Sequence, residues 1–95
     1  MEPQSLKARR EEILRIAAGF GARNVRVFGS HARGEAGPLS DLDLLVDLES
    51  GRSLLDLIAI RQDLEDMLGC EVDVLTEAAL SPFIRAEVLG SAVPL

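Results

Sequence analysis

Apolar side chains recur at helical spacing along the first twenty residues of the chain. From Ser5 to about Phe20 they lie three, four or seven positions apart among arginines and glutamates. This period predicts an amphipathic helix that buries one face. Ser5 is in position to cap its start, and Gly19 and Gly21 bracket its expected end.

Two further helices are predicted downstream. Residues 53–68 repeat the helical pattern, with Ser53 in position to cap the helix and Gly69 to end it. Residues 77–95 are expected to form a short turn and then a helix that begins near Pro82, because proline is well tolerated in the first turn.

Three segments between the helices alternate apolar and polar side chains, which is typical of strands with one buried face. They are "NVRVFGS" at 24–30, "DLDLLVDLE" at 41–49 and "CEVDVLT" at 70–76. In the second segment one face is aliphatic, and the other carries Asp41, Asp43, Leu45 and Asp47. Residues 31–40 contain two glycines and a proline and are expected to form an irregular connection.

The predicted order is therefore helix, strand, strand, helix, strand, helix. It indicates an α/β sheet whose helices cover one face, with the opposite face open for chemistry. A chain of 95 residues is expected to be a single domain, 1–95. Its core should be aliphatic, because 47% of the residues are hydrophobic and only 3% are aromatic.

The charge is unevenly distributed along the chain. Residues 1–40 carry seven basic and four acidic side chains, a net +3, whereas residues 41–95 carry three basic and twelve acidic ones, a net −9. This acidic balance disfavours stable binding of nucleic acid. Cys70 is the only cysteine, and no segment has the length and apolarity of a signal peptide or membrane span, so a cytoplasmic protein is expected.

The acidic face of the second predicted strand is the strongest indication of chemistry. Asp41 and Asp43 are two positions apart, so their side chains point the same way at about 7 Å and can converge on a cation. Carboxylate oxygens select Mg²⁺ or Mn²⁺ rather than zinc. Asp73, on the third predicted strand, is the favoured third carboxylate, and Glu71 has the same parity and is a weaker candidate.

Gly29 and Ser30 complement these carboxylates. They follow the first predicted strand, where a residue without a side chain lets backbone N–H groups approach a phosphate. The Ser30 hydroxyl can donate a further hydrogen bond. Mg²⁺ is normally shared between one or two protein carboxylates and substrate phosphates, so the combination indicates a nucleoside triphosphate site.

Gly29-Ser30, ten intervening residues, Asp41-Leu42-Asp43 and the later Asp73 resemble the motif of the nucleotidyltransferase superfamily typified by DNA polymerase beta. The likeness is closest to the minimal nucleotidyltransferase branch, often the antitoxin paired with a HEPN-domain ribonuclease toxin. It covers nearly the whole chain. It implies an α+β fold in which a small mixed sheet has helices packed on one face, in the order α-β-β-α-β-α.

The resemblance also implies roles for the matching residues. Asp41 and Asp43 would hold two Mg²⁺ ions, and Asp73 would bind the catalytic ion and accept the proton of the incoming hydroxyl. The β- and γ-phosphates would bind at Gly29 and Ser30. Arg33, in "GSHARG", would lie near the phosphates.

The implied enzyme transfers AMP from ATP to a hydroxyl of a protein partner, expected to be a HEPN toxin held in a hetero-oligomer. Attack on the α-phosphate would release pyrophosphate. Two alternatives stay open: a non-catalytic antitoxin that neutralises the toxin by binding, and a catalytic subunit that modifies RNA or a small-molecule hydroxyl. No short motif selects ATP over other triphosphates.

Several of these residues also have plainer interpretations. Taken singly, Asp41 could start a strand and Asp43 could be a solvated residue. Asp47 has the right parity but lies farther along the strand, so a structural role is favoured. His31 is interpreted as a loop residue rather than a general base, and Cys70 as a small buried hydrophobe.

Overall fold

The computed structural model describes residues 3–29, 31–32 and 41–95. Its elements follow one another in nearly the predicted order. They are α1 (Pro3–Ala8), α2 (Arg10–Gly19), β1 (Ala22–Phe28), β2 (Leu42–Leu48), α3 (Leu54–Leu68), β3 (Val72–Leu75), a 3-10 turn (Glu77–Ala79), α4 (Pro82–Ser91) and β4 (Val93–Pro94).

The four strands form one mixed sheet in the order β3-β2-β1-β4. β1 pairs antiparallel with β2 and with β4, whereas β2 and β3 are parallel because α3 crosses over between them. The mixed sheet of the predicted α+β fold is confirmed. β3 is an edge strand of this sheet.

The core lies between one face of the sheet and the helices α1, α2 and α3. The alternation predicted for the strands is confirmed, since the alternate positions Val25 and Val27 of β1, Leu42, Leu44 and Val46 of β2, and Val72 and Val74 of β3 all belong to this core. Its most buried members are Val27, Leu42, Leu44, Val46 and Val72 from the sheet and Ile13, Ala17, Ile60 and Leu64 from the helices.

Local signals placed the ends of two helices correctly. Ser53 caps α3 in a reciprocal arrangement, in which its side chain accepts from the Leu55 N–H and Asp56 accepts from the Ser53 N–H. Gly69 ends this helix in the left-handed conformation, with φ of 70°. Pro82 occupies the first turn of α4, as predicted.

The prediction of one continuous N-terminal helix capped by Ser5 is wrong. The chain forms two helices separated by a turn at Arg9, and Ser5 lies within the first of them. Pro3 begins α1, a position that suits proline. The Arg9 N–H bonds to the carbonyl of Leu6, three residues back, and this tight turn ends the first helix.

The polar face of the sheet is less open than expected, and β4 was not predicted. Leu45, on the face with Asp43, is fully buried together with Leu80, and neither belongs to the main core. The 3-10 turn contacts β2 on the way to α4. In the part of the chain that the structure describes, no helix has the length and apolarity needed to cross a membrane.

Candidate active site

Two of the predicted carboxylates meet on the polar face of the sheet. Asp43 is paired with Phe28 of β1 on one side and with Asp73 of β3 on the other. Because directly paired residues point to the same face, the side chains of Asp43 and Asp73 lie side by side. Asp41 immediately precedes β2 and is exposed.

The charges around Asp43 oppose its ionisation. Burial raises the pKa of Asp43 above its ordinary value of 3.8, and the negative charges of Asp73 and Asp41 raise it further. The Asp73 side chain also shares a hydrogen bond with it, whereas His31 favours the ionised form. Two carboxyl groups in contact need a shared proton or a cation between them.

Gly29 lies against the same carboxylate. It directly follows β1, and its φ of +73° is one that residues with side chains rarely adopt. A Cβ at this position would collide with Oδ2 of Asp43 and would lie 3.3 Å from its Cγ. The absence of a side chain therefore lets the turn after β1 close over Asp43. This contact was not predicted from the sequence, because it depends on the pairing of β1 with β2.

Ser30 and Arg33, the other two predicted phosphate-binding residues, lie outside the described residues. Glu71, the weaker candidate for the third carboxylate, is exposed, and its backbone carbonyl accepts a hydrogen bond of 3.0 Å from the Leu42 N–H. Glu71 is not among the charges that raise the pKa of Asp43. The geometry thus favours Asp73 over Glu71 as the partner of Asp43.

Asp47 has the structural role that its position suggested. One carboxylate oxygen accepts from Arg26 at 3.0 Å, and the other accepts from the side-chain amide of Asn24 at 3.0 Å. Arg26 also donates to Glu77 at 3.0 Å. Asp47 thus ties β2 to β1 and is fully engaged away from Asp43.

His31 is buried, and Cys70 is half-buried. The side chain of His31 is only 8% exposed, and it lines a cavity of about 510 Å³ with Arg10, Val27 and Val93. Cys70 is half-buried against the core, and burial raises the pKa of its thiol. A thiol with a raised pKa is unreactive, which agrees with its interpretation as a small hydrophobe.

The carboxylate pair suits a hard divalent cation. Within residues 3–29, 31–32 and 41–95, no three His, Cys, Asp or Glu side chains already stand together as a ligand set. Mg²⁺ requires fewer, since one or two carboxylates hold it while water and phosphate complete the octahedron. The contact between Asp43 and Asp73, with the negative charge of Asp41 close by, supplies oxygen donors of the correct kind.

Comparisons with known proteins show the family of this chain. Residues 9–95 match the family model described as a nucleotidyltransferase domain. The chain belongs to the nucleotidyltransferase domain family. Protein adenylyltransferase MntA of Thermococcus cleftensis is 45% identical over 74 residues, which cover 78% of this chain and 75% of that protein.

Solved structures of two other proteins have folds similar to that of this nucleotidyltransferase. A structure described as a "putative minimal nucleotidyltransferase" is 52% identical and has a TM-score of 0.87, with 100% of this chain and 97% of that chain covered. A crystal structure of a toxin–antitoxin with AMP-PNP has a TM-score of 0.74 at 19% identity, with 88% and 69% covered. At that identity the second likeness concerns the fold alone.

Proposed function

We propose that this nucleotidyltransferase is a Mg²⁺-dependent protein adenylyltransferase. It moves AMP from ATP to a hydroxyl of a HEPN-domain toxin and thereby acts as the antitoxin. The observation that carries the proposal is the carboxyl contact between Asp43 and Asp73 beneath Gly29. It joins a cation-binding pair to Gly29, one of the predicted phosphate-binding residues.

In this proposal each residue of the pair has a distinct task. Asp43 and Asp73, with Asp41 beside them, would hold the metal, which supplies Lewis-acid stabilisation of the phosphoryl charge when bound. Asp73 is exposed and is the carboxylate nearer the sheet edge, so it is placed to orient the acceptor hydroxyl and take its proton. The acceptor oxygen bonds to the α-phosphorus as the bond to the β-phosphate oxygen breaks, and pyrophosphate leaves.

The phosphate side of the site would be formed by the chain after β1. Gly29 brings its backbone close to Asp43, so phosphate bound at this turn would lie beside the metal ligands. On the sequence motif alone, we assign Gly29 and Ser30 to the β- and γ-phosphates and Arg33 to a position near the phosphates.

The choice of acceptor is supported by what similar proteins are named. The 45% identical relative is named a protein adenylyltransferase. The structural neighbour is a toxin–antitoxin crystallised with AMP-PNP, an analogue of ATP. A protein hydroxyl and an adenine nucleotide are therefore the first substrates to test. A hetero-oligomer with the toxin, a cytoplasmic location, a single domain over 1–95 and the lack of stable nucleic-acid binding stay predictions.

The test is transfer of label from α-labelled ATP to a purified HEPN-domain protein from the same genome, with Mg²⁺ present. Label should appear on the HEPN protein and disappear with Asp41→Ala/Asp43→Ala. Asp47→Ala is the matched control, because it removes a carboxylate of the same strand that is engaged with Arg26. If the two proteins form a complex in which the HEPN-domain protein is inactive but carries no label, the result would instead support an antitoxin that acts by binding.

A further inference from the structure

A surface groove begins beside Asp73 and runs along the free edge of the sheet. It has a volume of about 190 Å³, and its strand wall is formed by Asp73, Val74 and Leu75. Successive strand residues point to opposite faces, yet all three line the groove, because it follows the unpaired edge of β3. One end of the groove is therefore a carboxylate of the proposed active site.

The opposite wall is a single stripe of α3. Leu54, Leu57, Ile58 and Arg61 line it at the spacing i, i+3, i+4 and i+7, so they occupy one face of the helix. Leu57 also packs against the core, so this stripe borders the face that carries Ile60 and Leu64. Leu54 is 69% exposed and Ile58 38% exposed, although both are large and apolar.

This combination favours a partner over solvent. An edge strand presents unpaired backbone donors and acceptors that another chain can pair with. Apolar side chains exposed next to such an edge add binding energy for an incoming strand and mark interaction sites. A peptide in extended conformation would use both features at once.

The geometry points to this groove as the docking site for the acceptor protein, which would add an extended segment to the edge of β3. The segment would place apolar side chains against Leu54 and Ile58 and bring its hydroxyl to Asp73. The inference rests on the proposed function, because it is there that the acceptor hydroxyl has to reach Asp73. Basic residues beside the hydroxyl would complement the acidic end of the groove, where Asp73 lies next to Asp43 and near Asp41.

The test compares AMP transfer kinetics at saturating Mg²⁺-ATP while the concentration of the HEPN-domain protein is varied. Leu54→Gln should raise the KM for the acceptor by about tenfold or more, with kcat and the KM for ATP unchanged. Leu55→Gln is the matched control, since Leu55 is 76% exposed in the same helical turn but does not line the groove. Leucine and glutamine have similar helix propensities, so both variants should fold.

Hydrogen exchange provides a second readout that does not depend on substitution. Backbone amides of 74–76 should become protected when the HEPN-domain protein is added. Val72 is left out because its N–H already donates to Glu65 at 3.0 Å. Equal acceptor KM values for Leu54→Gln and Leu55→Gln, or protection confined to other elements, would overturn the groove while leaving the proposed function intact. Absence of label transfer by the unmodified protein would instead contradict the proposed function. A homodimer that Leu54→Gln dissolves, with the acceptor KM unchanged, would assign the groove to a second copy.

Discussion

Asp43 and Asp73 are paired directly across two parallel strands, and their carboxyl groups share a hydrogen bond. Like charges so placed weaken the fold unless a proton or cation lies between them. Such an arrangement lowers stability but provides a binding site. Removing one of the two charges should therefore affect stability and activity in opposite directions.

Replacing either residue by asparagine should separate the two properties. Asp43→Asn and Asp73→Asn each remove a negative charge but keep the side-chain shape, so the Tm without metal should stay the same or rise. AMP transfer should fall by about 10²- to 10³-fold, because a metal ligand contributes several kcal/mol of transition-state stabilisation. Label transfer and thermal unfolding of the same samples provide the measurements. Asp47→Asn should keep activity within about twofold; a large loss there would give Asp47 a catalytic role.

The raised pKa of Asp43 predicts how stability depends on pH. Because the folded state holds the Asp43 proton more tightly than the unfolded state, this group favours folding most below its ordinary pKa of 3.8. Its contribution is lost as the pH rises through the folded pKa. Without metal, the free energy of unfolding of the unmodified protein relative to Asp43→Asn should therefore decline as the pH rises above about 4. Urea unfolding at several pH values measures this difference, and a constant difference would contradict it.

Mg²⁺ should reverse this trend at neutral pH. A cation bound only by the folded state at ten times its Kd would add about 1.4 kcal/mol to the free energy of unfolding. The gain should shrink towards pH 4, where protons compete for the carboxylates, and it should be absent in Asp43→Asn. A similar gain in that variant would show that Mg²⁺ binds elsewhere.

Gly29→Ala should lower stability by more than the strain of placing a side chain at a left-handed backbone conformation. Gly69 has almost the same φ, +70° against +73°, but a Cβ at Gly69 would meet no atom within 4 Å. Gly69→Ala should therefore cost only the backbone strain, roughly 1–2 kcal/mol, with activity retained. Gly29→Ala should cost more and abolish transfer, because its methyl group displaces the Asp43 carboxylate.

A double variant separates the two contributions to the cost at Gly29. In Gly29→Ala/Asp43→Ala the colliding oxygen is gone, so the loss of stability should return to that of Gly69→Ala. Chemical unfolding of the unmodified protein, the two single variants Gly29→Ala and Asp43→Ala, and the double variant completes a double-mutant cycle. Strict additivity of the two substitutions would exclude the contact between Gly29 and Asp43.

The sequence predicted best what local chemistry determines. Ser53 and Gly69 carry the ends of α3 in their own side-chain and backbone preferences, so these positions follow from the chain alone. Alternation likewise assigned Asp43 and Asp73 to the polar face. Parity does not fix register, however, and the direct pairing of these two residues depends on the length and path of α3 between β2 and β3.

The features that sequence analysis missed arise from tertiary contacts. β4 contains only Val93 and Pro94, too few residues to show a period, and it exists because β1 offers it an edge. Leu45 alternates with aspartates and therefore looked exposed, but the chain after β3 returns over it. The groove beside Asp73 was also missed, because Leu54 and Ile58 fit the pattern of core positions equally well.

Arg26 provides the last test, because it should stabilise the fold without contributing to catalysis. Its side chain is only 13% exposed and binds two carboxylates, Asp47 on β2 and Glu77 in the 3-10 turn. Arg26→Ala should lower the free energy of unfolding by about 1–2 kcal/mol, more than the roughly 0.5 kcal/mol expected for an exposed pair. Arg9→Ala is the control, since Arg9 is 43% exposed and contacts Glu12 at 3.4 Å.

Arg26→Lys should recover little of this stability, because one ammonium group cannot reproduce the two-sided geometry of a guanidinium. Transfer activity of the folded fraction should stay near that of the unmodified protein in both Arg26 variants. The physical reason is that the Arg26 guanidinium binds Asp47 and Glu77. The β1 residue paired with Asp43 is Phe28, not Arg26. If activity were lost while stability was retained, Arg26 would have to contact the substrate, and the polar face would extend farther along β1 than the carboxylate pair indicates.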